Sequence, residues 1–168
     1  LSLVVARAGS KGLKNKNIRK FSGKPLVSWS ILASKKSKYI DYTLVSTDSK
    51  KIIKISKSLG VNAPFKRPKV LASDNSSIKD VIFHSLKWLK KEKLNFDFLI
   101  LLQATSPLRT AKHIDNSIKY YFVLIISMIS FISTGLCAMP FTLRSFNFSS
   151  VTELSSAVTA IMNAFLFF

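Results

Sequence analysis

Arg7, Gly9, Ser10, Lys11, Gly12, Lys16 and Asn17 stand directly behind a short apolar run, LSLVVA (1–6). These types at this spacing suit a phosphate-bearing ligand. Glycines let backbone amides approach closely, lysine and arginine offset a polyphosphate, and Asn17 can hydrogen-bond a phosphate or a sugar hydroxyl. The loop lacks the GKS or GKT ending of a P-loop and the GxGxxG dinucleotide fingerprint. On spacing alone, an ordinary solvated basic loop remains the competing reading.

The elements that must position this loop follow from periodicity. LSLVVA reads as a buried strand and YTLVST (42–47) as a second. Pro25 suits the first position of a helix over 25–36. DSKKIIKISKSLG (48–60) reads as a helix capped by Asp48 or Ser49, with the cap favoured over a ligand role for Asp48. VNAPF (61–65) is a short extended piece. In 77–93, Ile78, Val81, Ile82, Leu86 and Leu89 form an apolar stripe at helical steps. FDFLILLQ (96–103) reads as a strand covered on both faces. A further helix follows Pro107, capped by Thr110. His84 lies one residue off its stripe and reads as packed rather than catalytic; His113 receives no role.

Strand and helix alternate to about residue 120, which predicts an α/β fold with a doubly wound, mostly parallel sheet. In such sheets ligands lie beyond the carboxyl ends of the strands. The loops at 7–17, 48–49 and 103–110 leave those ends and can share one crevice.

The formal charge is +18, and all of it lies in residues 1–119; residues 120–168 hold only Arg144 and Glu153. Most lysines alternate with apolar residues as on solvated helix faces. With no zinc-finger spacing, RNA-stacking aromatics or helix-turn-helix pattern, the charge favours an anionic small ligand over nucleic acid. A lone Cys137 excludes an internal disulfide framework and fits a reducing compartment. No signal peptide is visible, so a cytoplasmic location is expected.

As a string, ARAGSKGLKNKN followed by GKPLVSWSI resembles the N-terminal signature of the N-acylneuraminate cytidylyltransferases, or CMP-sialic acid synthetases. The resemblance continues in order through SKYIDYTLVSTDSKKI, APFKRPKVLASDNSS, DVIFHSLKWL and DFLILLQATSPLRTAKHID. It implies a Rossmann-like fold of the nucleotide-diphospho-sugar transferase type. It also implies CMP transfer: the anomeric hydroxyl of a sialic-acid-like nonulosonic acid attacks the α-phosphate of CTP, and pyrophosphate leaves.

Carried onto this chain, the resemblance puts Arg7 and Lys16 at the reacting phosphates as the catalytic pair. Gly9, Ser10, Lys11 and Asn17 complete the triphosphate site, Arg67 contacts the nucleotide, and Ser76 and Ser77 approach the cytosine ring. Each has a plainer alternative: a surface arginine before a proline for Arg67, a helix cap for the serines. QATSPLR (103–109) matches the family's QPTSPLR loop, placing Gln103 near nucleotide and acceptor sugar, with Thr105 and Ser106 on the sugar side and Arg109 shaping the loop. Ala104 replaces the usual proline.

The resemblance also implies Mg2+ and a dimer, but the part that should supply them is unrecognisable. The family's GDID-like metal-binding stretch has no counterpart, since no Asp follows Asp115. Two regions are therefore expected: a nucleotide-binding domain over 1–121 and a hydrophobic tail over 122–168. Residues 120–143 carry no charge, a length that also suits a membrane span, although Gly135, Pro140 and many hydroxyls interrupt it. Charge, patterning and resemblance all stop together, which favours a shifted reading frame over a membrane tail or a divergent subdomain. Impaired turnover is the expectation, with a nucleotide-binding remnant as the alternative and a membrane-tethered protein the least favoured.

Overall fold

The computed structural model describes residues 1–10 and 12–134, with residues 123 and 126–134 described as backbone only. Residues 1–119 form one compact unit; a second begins at Tyr120, and of it the helix to Thr134 is described. The expectations for the tail beyond residue 134 lie outside the described residues. Among the described residues, no helix is long and apolar enough to cross a membrane.

Three parallel strands form the central sheet: β1 (Ser2–Val5), β4 (Thr43–Ser46) and β5 (Ile100–Gln103), in the order β4-β1-β5. Register explains the two-sided burial. Leu3 pairs with Leu44 and Leu101, whereas Val4 pairs with Val45 and Leu102. Because side chains alternate, these trios face opposite ways. The valine face packs on α1 (Leu26–Lys35), α2 (Lys50–Ser58) and the start of α4 (Ala111–Thr134), through Val27, Ile31, Ile52, Ile114 and Ile118. The leucine face packs on α3 (Ile78–Lys91) through Ile82, Leu86 and Leu89. Helices cover both faces, so the sheet is doubly wound and parallel, as the alternation predicts. Isolated parallel bridges, Leu44 to Asn62 and Thr47 to Lys66, lay the 61–66 segment along β4.

Helix α1 approaches the sheet on small side chains as well as large ones. Ser34 Oγ lies 2.7 Å from Thr43 Oγ1 and 2.5 Å from Ser2 Oγ, and Ser2 and Thr43 are themselves a cross-strand pair. These buried hydroxyls satisfy one another, which lets polar residues occupy a core position.

Three local expectations are corrected, and one open choice, the cap of α2, is settled. Pro25 does not open the helix from within; it takes the N-cap position after a hairpin of β2 (Lys20–Phe21) and β3 (Lys24–Pro25). The two turn residues, Ser22 and Gly23, both have positive φ, as a two-residue hairpin demands. Ser49, not Asp48, caps α2 by accepting the Ile52 N–H. Only the last part of the 96–103 run is strand: Phe96 packs against Tyr42 with ring centroids 5.5 Å apart, and the Phe98 carbonyl accepts from the Leu1 ammonium. Ile78, read as part of the buried stripe, is 41% exposed.

Thr110 caps α4 as expected, accepting the His113 N–H through Oγ1. His113 reciprocates, its Nδ1 accepting the Thr110 N–H. This is a capping box with histidine in the usual place of glutamate.

Candidate functional site

The loops after β1 and β5 line a cleft of about 280 Å³ at the carboxyl end of the sheet, whereas the 48–49 loop after β4, expected to share it, does not line it. After β1 come Arg7, Gly9 and Ser10, with Lys16 and Asn17 from the short 3₁₀ turn Lys16–Ile18. After β5 come Gln103, Ala104 and Thr105. The third wall combines Arg67, Leu71, Ser73, Asp74 and Ser76 with Ile78 and Val81 of α3. Exposure of Ile78 is thus explained by its place at the cleft rather than in the core.

Two polar side chains, Asp48 and Asn17, hold the backbone of the loop after β1. Asp48 Oδ1 accepts the Ala8 N–H at 2.7 Å, tying this loop to the one after β4. Asn17 Nδ2 donates to the Arg7 carbonyl at 2.9 Å, while its buried Oδ1 has no partner. Arg7 Nη1 meets Asp74 Oδ1 at 2.5 Å. Gly9 lines the cleft, and a Cβ built there would meet no protein atom within 4 Å. Lys11 lies outside the described residues.

Arg67 is 5% exposed and donates from Nη2 to the Ser46 carbonyl at 3.1 Å. Its N–H is also anchored, donating to the Thr47 carbonyl at 2.8 Å. Burial lowers its hold on the proton; Asp48 opposes this and Arg7 adds to it. A guanidinium nevertheless stays charged, so the cleft floor carries a fixed cation. His84 lies close enough to feel that cation, and burial and then Arg67 push its pKa below the usual histidine value.

The carbonyl of Gln103 receives two bonds, from Ser30 Oγ of α1 at 3.1 Å and from Arg109 Nη1 at 3.3 Å. Arg109 therefore folds the loop back on β5, and burial lowers its pKa. Thr105 Oγ1 lies 3.5 Å from Gln103 Oε1.

Of the residues singled out from sequence, Arg7, Gly9, Ser10, Lys16, Asn17, Arg67, Ser76, Gln103 and Thr105 line one cleft. Ser77 does not; its Oγ caps α3 by accepting the Lys79 N–H. Ser106 does not either, and its carbonyl accepts the Arg109 N–H in the turn. Ser76 lines the cleft, but its hydroxyl donates to the carbonyls of Leu71 and Ser73. Sequence reasoning missed Asp74, and it passed over Asp48 in favour of a cap. The signal for Asp48 was its place at the end of a strand, which a cap shares.

Among the described residues, no group of three His, Cys, Asp or Glu could hold a metal ion. Asp74 is engaged by Arg7, and Asp48 by the Ala8 amide. Of the described carboxylates, Asp74 alone lines the cleft, fewer ligands than a metal site built from protein alone requires.

Fold and cleft together define an α/β domain with a cationic crevice at the carboxyl ends of its parallel strands. The chain belongs to the cytidylyltransferase family, whose model matches residues 1–132, about a dozen residues beyond the end of the resemblance read from sequence. It is 35% identical over 130 residues to the CMP-N,N'-diacetyllegionaminic acid synthase of Legionella pneumophila, covering 77% of this chain and 56% of that protein. It is 36% identical over 124 residues to the N-acylneuraminate cytidylyltransferase of Escherichia coli, covering 74% of this chain and 28% of that one. Among solved structures, CMP:2-keto-3-deoxy-manno-octonic acid synthetase complexed with CTP aligns with a TM-score of 0.57 at 18% identity, covering 83% of this chain and 49% of that one. That likeness concerns the fold. The chain spans little more than half the length of the first of these relatives.

Proposed function

We propose that the cleft holds the triphosphate of CTP, and that this chain is the nucleotide-binding part of an enzyme transferring CMP to a sialic-acid-like nonulosonic acid. The observation that carries the proposal is the convergence of Arg7, Lys16, Asn17 and Arg67 on one cleft. Transfer at a phosphorus needs chiefly placement and charge stabilisation from protein. Arg7 and Lys16 stabilise charge at the reacting phosphates, with Gly9, Ser10, Lys11 and Asn17 around the tail. Arg67 holds the nucleotide from beneath. Ser76 and Ser77 are proposed at the base, and Gln103, Thr105 and Ser106 toward the sugar. Ser77 and Ser106 would reach their ligands only by giving up their positions outside the cleft.

That Asp74 is the one described carboxylate lining the cleft favours a second reading. In it the chain binds the nucleotide without turnover. Magnesium, a dimer and a cytoplasmic location belong to the first proposal, supported by the resemblance and, for location, by the lone cysteine.

Calorimetry of the full chain with CTP tests the binding claim. Lys16→Ala should weaken affinity about ten-fold, as expected for loss of a charge-assisted phosphate contact. Equal affinity in the two proteins would remove the loop from the site. CMP-sugar formation from CTP, magnesium and several nonulosonic acids then separates the readings: product supports the first, binding without product the second.

A further inference from the structure

Three of the buried polar atoms without hydrogen-bond partners belong to Arg67 and to two residues that interact with it or with its segment: Nε of Arg67, Ser46 Oγ and His84 Nδ1. Ser46 already accepts from Arg67 through its carbonyl. Its side chain follows Leu44 by two residues on β4 and so shares the sheet face that α3 covers. His84 lies one turn after Val81, which lines the cleft with Arg67. The imidazole also meets the ring of Phe65, two residues before Arg67, edge-on at 4.8 Å.

The chemistry of these atoms is complementary. An arginine Nε–H only donates. Nδ1 of a neutral imidazole protonated at Nε2 only accepts, and a hydroxyl does either. A buried donor and a buried acceptor left unpaired each carry a desolvation penalty, which a shared link removes from both.

We infer that His84 is a positioning residue for Arg67: one water accepts the Arg67 Nε–H and donates to the neutral His84 Nδ1, with Ser46 Oγ completing the group. This link orients the guanidinium so that an Nη atom faces an anion in the cleft. The inference rests on the nucleotide reading of that cleft for its functional meaning, but not for the link itself. Protonation of His84 removes the acceptor and sets a second cation beside Arg67. The other charges bearing on the pair come from the loops packed around it. Asp48, after β4, offsets Arg67, and Arg7, after β1, adds positive charge. On His84 itself, Arg67 is the charge that acts.

Two measurements on the full chain test this. Without nucleotide, at pH 7.5, NMR of the ¹⁵N-labelled chain should show the Arg67 Nε–H protected from exchange. Protection should persist in His84→Asn, whose amide oxygen replaces the acceptor, and vanish in His84→Phe, which keeps the ring packing alone. Unchanged protection in His84→Phe overturns the inference. With CTP as the probe, wild-type affinity should fall about ten-fold more than that of His84→Asn between pH 8 and pH 5.5, the size expected for losing a charge-assisted hydrogen bond. Coincident pH profiles also overturn it. Absence of CTP binding in wild type at every pH overturns the nucleotide reading instead, and the exchange measurement then decides the link.

Discussion

Arg7 and Asp74 meet across the mouth of the cleft, joining the loop after β1 to the loop that leads into α3 at 2.5 Å. Both side chains are about a third exposed, at 36% and 38%. A pair this open is worth roughly 0–1 kcal/mol. A polyphosphate can therefore displace Asp74 from Arg7 with little penalty. Asp74→Asn is expected to raise CTP affinity by up to about five-fold, the equivalent of that energy. Titration calorimetry at low and at physiological salt checks this; weaker binding would mean that Asp74 holds Arg7 in place rather than competing for it.

Asp48 links two loops through a single short bond to the Ala8 amide. A hydrogen bond to a charged group contributes about 1.5–3 kcal/mol. Asp48→Ala should lower unfolding free energy by that order in urea titrations. It should also weaken CTP binding, because the first loop loses its anchor and Arg67 loses a neighbouring carboxylate. Stability unchanged from wild type would show that the loop is held by other contacts.

Gly9 separates a steric requirement of the fold from one of the ligand. Since a Cβ there meets no protein atom, Gly9→Ala should unfold at the wild-type temperature. Its CTP affinity should nevertheless drop several-fold if backbone approaches the phosphates at this point. Equal affinity would place the phosphates away from Gly9.

The lowered pKa of His84 makes stability pH-dependent in a definite direction. The unfolded chain takes up a proton near the ordinary histidine value of about 6.5; the folded chain resists until lower pH. The unfolded state thus binds more protons in that window, and stability rises with pH through it. The contribution is complete above the unfolded value and is lost as pH falls through the folded one. Thermal melts of wild type and His84→Asn should diverge between pH 7 and pH 5, with wild type losing more. Parallel curves would exclude His84 as the source.

Much of the scaffold was legible because its signals are local. The β-branched runs at 1–6 and 42–47 could only be short strands, and α3 follows from apolar residues at steps of three and four. The apolar run at 96–103 misled because burial and extension are different properties. Phe96 is half-buried and packs on Tyr42 outside any strand. The hairpin at 20–25 left no alternation to read, and it depends on Ser22 adopting a positive φ that serine rarely takes. Serine capping was ambiguous in the same way: SDNSSI offers two adjacent hydroxyls, and packing of the cleft wall chose Ser77 for the helix and Ser76 for the wall.

By itself the sequence determined the alternation of strands and helices, the basic character of the first loop and the family to which that loop belongs. These depend on short-range periodicity and on residue types, which a linear string retains. Only the tertiary structure decided which loops share a cleft, because that follows from the strand order β4-β1-β5, a pairing of segments far apart in the chain. The same non-local pairing turned Asp48 from a cap into a tie between loops, set Asp74 against Arg7, and buried Arg67 beside His84.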